Sequence, residues 1–137
     1  MLTIGDLARD TGVKVPTIRY YEQMGLLHEA GRSRGNQRRY ESADRNRLAF
    51  IKHARDLGFT IEAIRELLEL SAHPEKPCAD ADQIAARQLE AVRAKIVQLQ
   101  SLERELGRIS SCCHGEQVRD CYVIQSLSNH DLCQTDH

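Results

Sequence analysis

Tryptophan is missing from these 137 residues and aromatics make up only 4% of them, so the core must be built from aliphatic side chains. No run of 18 apolar residues occurs and no basic start leads into an apolar stretch. A membrane span and a secretory leader are therefore excluded, and the expected compartment is the cytoplasm. A strong net charge is absent too, with 19 basic residues against 20 acidic ones. That balance conceals an asymmetry. Residues 1–57 carry eleven Lys/Arg and seven Asp/Glu, the remainder eight and thirteen, and a basic head suits a polyanionic partner. Cysteine is plentiful late in the chain: Cys78, Cys112, Cys113, Cys121 and Cys133 fall in the last 60 residues. In a reducing compartment these do not serve as structural disulfides, which leaves metal binding or thiol chemistry.

The longest patterned stretch is residues 82–109. Leu89, Val92, Ile96, Leu99, Leu102, Leu106 and Ile109 advance by three or four positions at a time, while Glu, Arg, Gln and Lys fill the other faces; such spacing holds one apolar stripe on a helix. No proline interrupts it. At about 1.5 Å per residue the helix extends roughly 40 Å, more than the small head before it covers. The stripe needs a partner. Its spacing favours a second copy in a parallel or antiparallel coiled coil, hence a homodimer, with the seam locally overwound where two three-residue steps follow each other.

Earlier in the chain, Thr3 is a good N-cap for a short helix from Ile4 to Arg9, ended by Thr11-Gly12. Val15 to Met24 reads as a second helix with Pro16 in its first turn, Ile18 and Tyr21 facing inward, Arg19, Tyr20 and Gln23 on other faces, and Gly25 closing it. Two short helices around a tight glycine-containing turn make a helix-turn-helix, whose second helix enters the major groove. Residues Arg32 to Tyr40 then place a Gly-Asn turn between two short extended segments rich in arginine, a small wing that lays guanidinium groups along phosphates. The expected DNA-facing set is Thr17, Arg19, Tyr20, Arg34, Asn36, Arg38 and Tyr40, with Tyr21 and Tyr40 also read as packing residues. Ser42 is expected to cap a third helix running to Leu57, closed by Gly58, and Thr60 a fourth that carries Ile61, Ile64, Leu67 and Leu68. His28 and His53 have no cysteine near them in sequence and read as surface residues. Pro74 and Pro77 mark a loop leading to Cys78.

The C-terminal run SSCCHGEQVRDCYVIQSL holds Cys112 and Cys113, a loop with Gly115, and Cys121 at the start of a short apolar helix. A loop pinned at both ends by thiolates is a metal-site arrangement.

The order of these parts, with Ile4-Gly5-Asp6-Leu7-Ala8, Thr17-Ile18-Arg19-Tyr20-Tyr21-Glu22 and Arg32 to Tyr40 in place, resembles the MerR family of bacterial transcription activators over essentially the whole chain. The resemblance implies a mainly α protein: a winged helix-turn-helix DNA-binding head (1–70), a linker (71–81), a long antiparallel coiled-coil dimerisation helix (82–110), a C-terminal metal-binding loop and short helix (111–128) and a flexible tail (129–137). It implies a dimer seated on a promoter dyad whose two recognition elements are spaced too far apart for RNA polymerase. Metal binding then makes the dimer bend and untwist the DNA, which amounts to a deformation energy altered by a ligand-driven shift between two arrangements.

Resemblance to the metal-sensing branch adds Cys78, because members that sense divalent ions carry a cysteine there and those that sense monovalent copper or silver a serine. Antiparallel packing would bring Cys78 of one subunit to Cys113 and Cys121 of the other. Thiolate softness then favours Zn(II), Cd(II), Pb(II) or Hg(II) over Mg or Ca. The pair Cys112-Cys113 followed by His114 resembles the zinc sensors, in which a second cysteine and a histidine hold a second ion, whereas the short loop back to Cys121 is nearer the cadmium and lead sensors. His130, Cys133 and His137 either add ligands from the tail or are incidental.

Other classes fit less well. A thiol-based redox or electrophile sensor of the same fold is the main alternative, although an iron-sulfur member would need four clustered cysteines in the loop and only three are there. A thiol hydrolase using Cys113 and His114 lacks a group to orient the histidine, and adjacent residues are poorly placed as nucleophile and base. The chain is therefore not expected to be an enzyme. Nothing after the long helix is long enough to form a drug-binding domain.

Overall fold

In a computed structural model of the chain, residues 1–29, 31–32, 38–111 and 117–129 are described. Helix α1 (Ile4–Thr11) begins where Thr3 accepts the Asp6 N–H on its hydroxyl at 3.1 Å while the Asp6 carboxylate accepts the Thr3 N–H at 2.9 Å. This reciprocal box satisfies donors that a helix start leaves open. Gly12, at φ 76°, ends α1 in the left-handed region. Helix α2 (Val15–Gln23) follows at once, with Pro16 in the first turn, where its missing N–H costs no helical bond.

Strands β1 (Gly31–Arg32) and β2 (Arg38–Arg39) pair antiparallel, Gly31 opposite Arg39 and Arg32 opposite Arg38. The wing expected from the arginine-rich segment thus has its two arms. The next residue, Tyr40, exchanges two backbone hydrogen bonds of 2.7 Å with Leu2, tying the base of the hairpin to the chain just before α1.

Helix α3 covers Ser42–Asp56 and helix α4 Ile61–Ser71. Thr60 caps α4 as expected, its hydroxyl accepting the Ala63 N–H at 3.1 Å. Ser42 does not cap α3. It is the first helical residue, and Glu41 takes the cap position, its N–H donated to the Asp44 carboxylate at 2.8 Å. An acid three residues into the helix outcompetes a serine one position too far along. Leu7, Ile18, Leu26, Leu48, Ile51 and Ile64 are fully buried together, joined by the ring of Tyr40. The core is aliphatic, as the aromatic shortage requires.

Helix α5 runs unbroken over Ala79–Ser111, 33 residues, beginning three positions before the apolar stripe was expected to carry it and ending two after. Ala79 and Ala81 favour helix, and Asp80 and Asp82 in the first turn complement its positive end. A single 3-10 turn (Val118–Asp120) leads into the seven-residue helix α6 (Tyr122–Ser128). The chain divides into two compact units, Met1–Ile84 and Ala85–His137. Among the described residues no helix is long and apolar enough to cross a membrane.

Candidate DNA interface and metal ligands

The two-sidedness of α2 decides which of its residues can meet a partner. Ile18, Tyr21 and Glu22 are buried, whereas Arg19 and Tyr20 are exposed and Thr17 is half-buried. The Tyr20 ring leans on Tyr21 with centroids 5.9 Å apart, which limits the freedom of the exposed ring. The end of α2 is held from outside. Arg65 of α4 donates to the Met24 carbonyl at 2.8 Å, and Arg47 of α3 donates to the Leu26 carbonyl. These bonds satisfy the carbonyl of the C-cap and one in the turn that follows it, and hold the end of α2 against α3 and α4.

Tyr40, assigned to the DNA-facing set, is wholly buried, and its hydroxyl donates to Glu22 Oε1 at 2.9 Å. Its role is packing: it joins the residue after β2 to the inner face of α2. Composition gave no hint of Glu22 as the acceptor, because a glutamate in a helix reads as solvated until a tyrosine is known to reach it. Arg38 lies in β2. Arg34 and Asn36 lie outside the described residues.

Of the expected metal ligands, Cys78 and Cys121 are described. Cys78 is exposed and sits immediately before α5; its carbonyl accepts the Asp82 N–H at 3.0 Å and its sulfur lies 3.7 Å from Asp82 Oδ1. It borders an open, mostly apolar pocket of about 320 Å³ with Phe50, Leu67, Leu70, Pro74 and Pro77. Cys121 is half-buried at the junction of the 3-10 turn and α6, where its N–H donates to the Val118 carbonyl at 3.0 Å and its own carbonyl accepts the Gln125 N–H at 3.1 Å. Cys112, Cys113 and His114, like His130, Cys133 and His137, lie outside the described residues. Among the described residues of one chain, no three His, Cys, Asp or Glu side chains gather closely enough to hold an ion. A cysteine thiolate nevertheless suits a soft cation.

One cluster next to Cys121 went unread in the sequence. Glu105 is only 5% exposed and forms an ion pair with Arg108, whose guanidinium also donates to the Tyr122 hydroxyl. The guanidinium carbon stands 5.4 Å from the centre of the Tyr122 ring. Hydrogen bonds to Glu105 first and Tyr122 second raise the Arg108 pKa above its already high ordinary value.

A family model described as "MerR HTH family regulatory protein" matches residues 2–71, and one described as "MerR, DNA binding" matches residues 45–109. The chain is 42% identical over 130 residues to the HTH-type transcriptional regulator ZntR of Escherichia coli strain K12, covering 93% of this chain and 92% of that protein. It is 40% identical over 127 residues to the mercuric resistance operon regulatory protein of Serratia marcescens, covering 92% and 87%. Among solved structures, the transcription regulator PbrR691 from Ralstonia metallidurans CH34, in complex with lead(II), superposes with a TM-score of 0.77 at 37% identity over 93% of this chain and 99% of that one.

Proposed function

Because this chain belongs to the MerR family of transcription regulators, in its metal-responsive branch, we propose that its homodimer sits on a promoter dyad and activates transcription by distorting the DNA when a soft divalent ion binds. Zn(II), Cd(II), Pb(II) and Hg(II) are the candidate inducers, and control of metal efflux or resistance is the role that follows. Members of this family are regulators, not enzymes.

The observation that carries the reading is the placement of cysteines about α5. Cys78 precedes its first residue and Cys121 follows its last. A 33-residue helix is about 50 Å long, and an antiparallel pair of such helices would set the start of one beside the end of the other. The apolar stripe supports that pairing: Leu99 is 63% and Leu106 65% exposed in the single chain, and a stripe of this length on a soluble helix is covered in the assembled protein.

In this arrangement Cys78 of one subunit, with Cys113 and Cys121 of the other, would hold the ion, while Cys112 and His114 serve a second ion or none. When bound, the ion supplies a link between the two chains. The protein's own residues do the rest. Arg19, Tyr20, Arg34 and Arg38 contact phosphates, α2 sets the register in the major groove, and α5 carries the change in dimer arrangement to both heads. RNA polymerase is the partner that reads the altered promoter.

Metal competition on the purified, reduced dimer, with bound metal counted by elemental analysis, tests this reading. Cys78→Ser should abolish induction by Zn(II), Cd(II) or Pb(II) while operator binding stays intact. Mixed dimers of a Cys78→Ser chain with a Cys113→Ser, Cys121→Ser chain should regain one working site, since one pairing keeps all three thiolates together. A Cys78→Ser protein that responds normally, or a mixed dimer that binds no metal, refutes the shared site. Activation by an oxidant in metal-free protein would instead favour the thiol-redox alternative.

A further inference from the structure

We propose that Tyr122, clamped by the Glu105–Arg108 pair at the end of α5, is a positioning residue that presets Cys121 for the incoming ion. The inference rests on the reading of Cys121 as a ligand and adds the device that holds it in place.

Helix α6 has seven residues, too few for a helix to persist in water on its own, because nucleation is costly and little propagation follows. Something outside must hold it. The first residue of α6 supplies the tie. Tyr122 meets Arg108 twice, accepting a hydrogen bond on its hydroxyl and presenting its ring face to the guanidinium, so both the direction and the depth of the ring are fixed. Arg108 is itself fixed by Glu105, three residues earlier on α5 and almost wholly buried. One turn further along α6, Ser126 is buried to 2% exposure, so the face that begins with Tyr122 is the inward one.

Cys121 is the residue immediately before this anchor. Its two backbone hydrogen bonds, to Val118 on one side and from Gln125 on the other, make the 3-10 turn and α6 a single piece with the cysteine at the junction. A side-chain bond from Gln125 to the Arg119 carbonyl, 3.2 Å, closes the same piece again. Anchoring Tyr122 therefore locates the Cys121 backbone relative to the end of α5. A ligand held in advance loses less freedom on binding, and groups of this kind around a metal ligand are worth about 10–100-fold in affinity.

The test uses the full-length reduced dimer, with Cd(II) as the probe, and compares Tyr122→Leu, Tyr122→Phe, Arg108→Lys and Cys121→Ser. Three quantities are read: Cd(II) affinity by competition, the thiolate-to-metal absorption, and the rate at which Cys121 is alkylated in metal-free protein, followed by peptide mass. Tyr122→Leu should weaken Cd(II) about 10–100-fold, reduce the absorption per ion and speed alkylation of Cys121, with dimer mass and metal-free operator affinity unchanged. Tyr122→Phe, which keeps the ring over the guanidinium, should recover part of the loss. Wild-type affinity and wild-type alkylation in both Tyr122 variants would overturn the proposal. Should Tyr122→Leu fail to fold, Tyr122→Phe and Arg108→Lys decide it by the same two readouts. If Cys121→Ser binds Cd(II) as tightly as wild type, the ligand reading itself fails, and the alkylation rates still show whether Tyr122 holds the turn.

Discussion

Replacing Tyr40 with phenylalanine removes a hydroxyl that ties the base of the wing to α2. The ring is fully buried and stays; only the hydroxyl that donates to Glu22 Oε1 at 2.9 Å is lost. Glu22 is 8% exposed, so water does not readily replace the donor. A hydrogen bond to a charged group is worth about 1.5–3 kcal/mol. Glu22 and Tyr40 both make other interactions as well, which places the expected loss at about 1.5–2 kcal/mol. For a head of this size each kcal/mol shifts the midpoint by about 4–8 °C, so Tm should fall by roughly 6–16 °C. Circular dichroism melting of the metal-free protein measures it, with Tyr20→Phe as control, since that ring is half-exposed and no comparable change is expected. Glu22→Gln and the double variant complete a cycle whose coupling energy reports the pair itself. Because the bond joins α2 to the base of the wing, operator affinity should fall too. A Tyr40→Phe protein that melts with the wild type would refute the reasoning.

Three further outcomes follow from the same geometry. Leu99→Asp puts a charge in the apolar seam of α5, where burial without a partner is costly, and sedimentation should show a monomer with weakened operator binding; a stable dimer would count against the seam. Arg19→Ala should lower affinity on specific and random DNA alike and flatten the dependence on salt by about 0.9 for each phosphate contact removed, so an unchanged salt slope would exclude a phosphate contact. The Asp6 carboxyl is held below the ordinary carboxylate range by the Thr3 N–H, then by the Thr3 hydroxyl, with Arg9 adding its charge. Its folded pKa being depressed, it stabilises the head above about pH 4 and that contribution is lost as pH falls through the lowered value. An NMR titration of Asp6 should give a midpoint below that of a free aspartate, and Asp6→Asn should flatten the acid side of the stability curve.

The helices of the head were legible because each announces itself locally. Thr3 and Thr60 stand one residue before an apolar periodic run, and Gly12, Gly25 and Gly58 take positive φ where their helices end. Ser42 misled because a hydroxyl and a carboxylate compete for the same cap, and the sequence does not say which position the helix will choose. The stripe on α5 was readable from spacing alone, and its leucines are exposed in the single chain. The Glu105, Arg108 and Tyr122 cluster was not legible. Glutamate and arginine three apart on a helix are ordinarily a solvated pair, and only the return of the chain through α6 turns them inward. A tyrosine directly after a cysteine was the one available signal.

The pairing of Leu2 with Tyr40 bears on the order in which the head assembles. Those two backbone bonds close a loop of nearly forty residues, and closing one of that length costs about 3 kcal/mol in chain entropy. Helical turns form on far shorter loops and far sooner. Packing α1 against α3 spans as many residues, so the base of the wing and the aliphatic core close in one step, after the helical turns, and a lesion in that core loosens the wing with it.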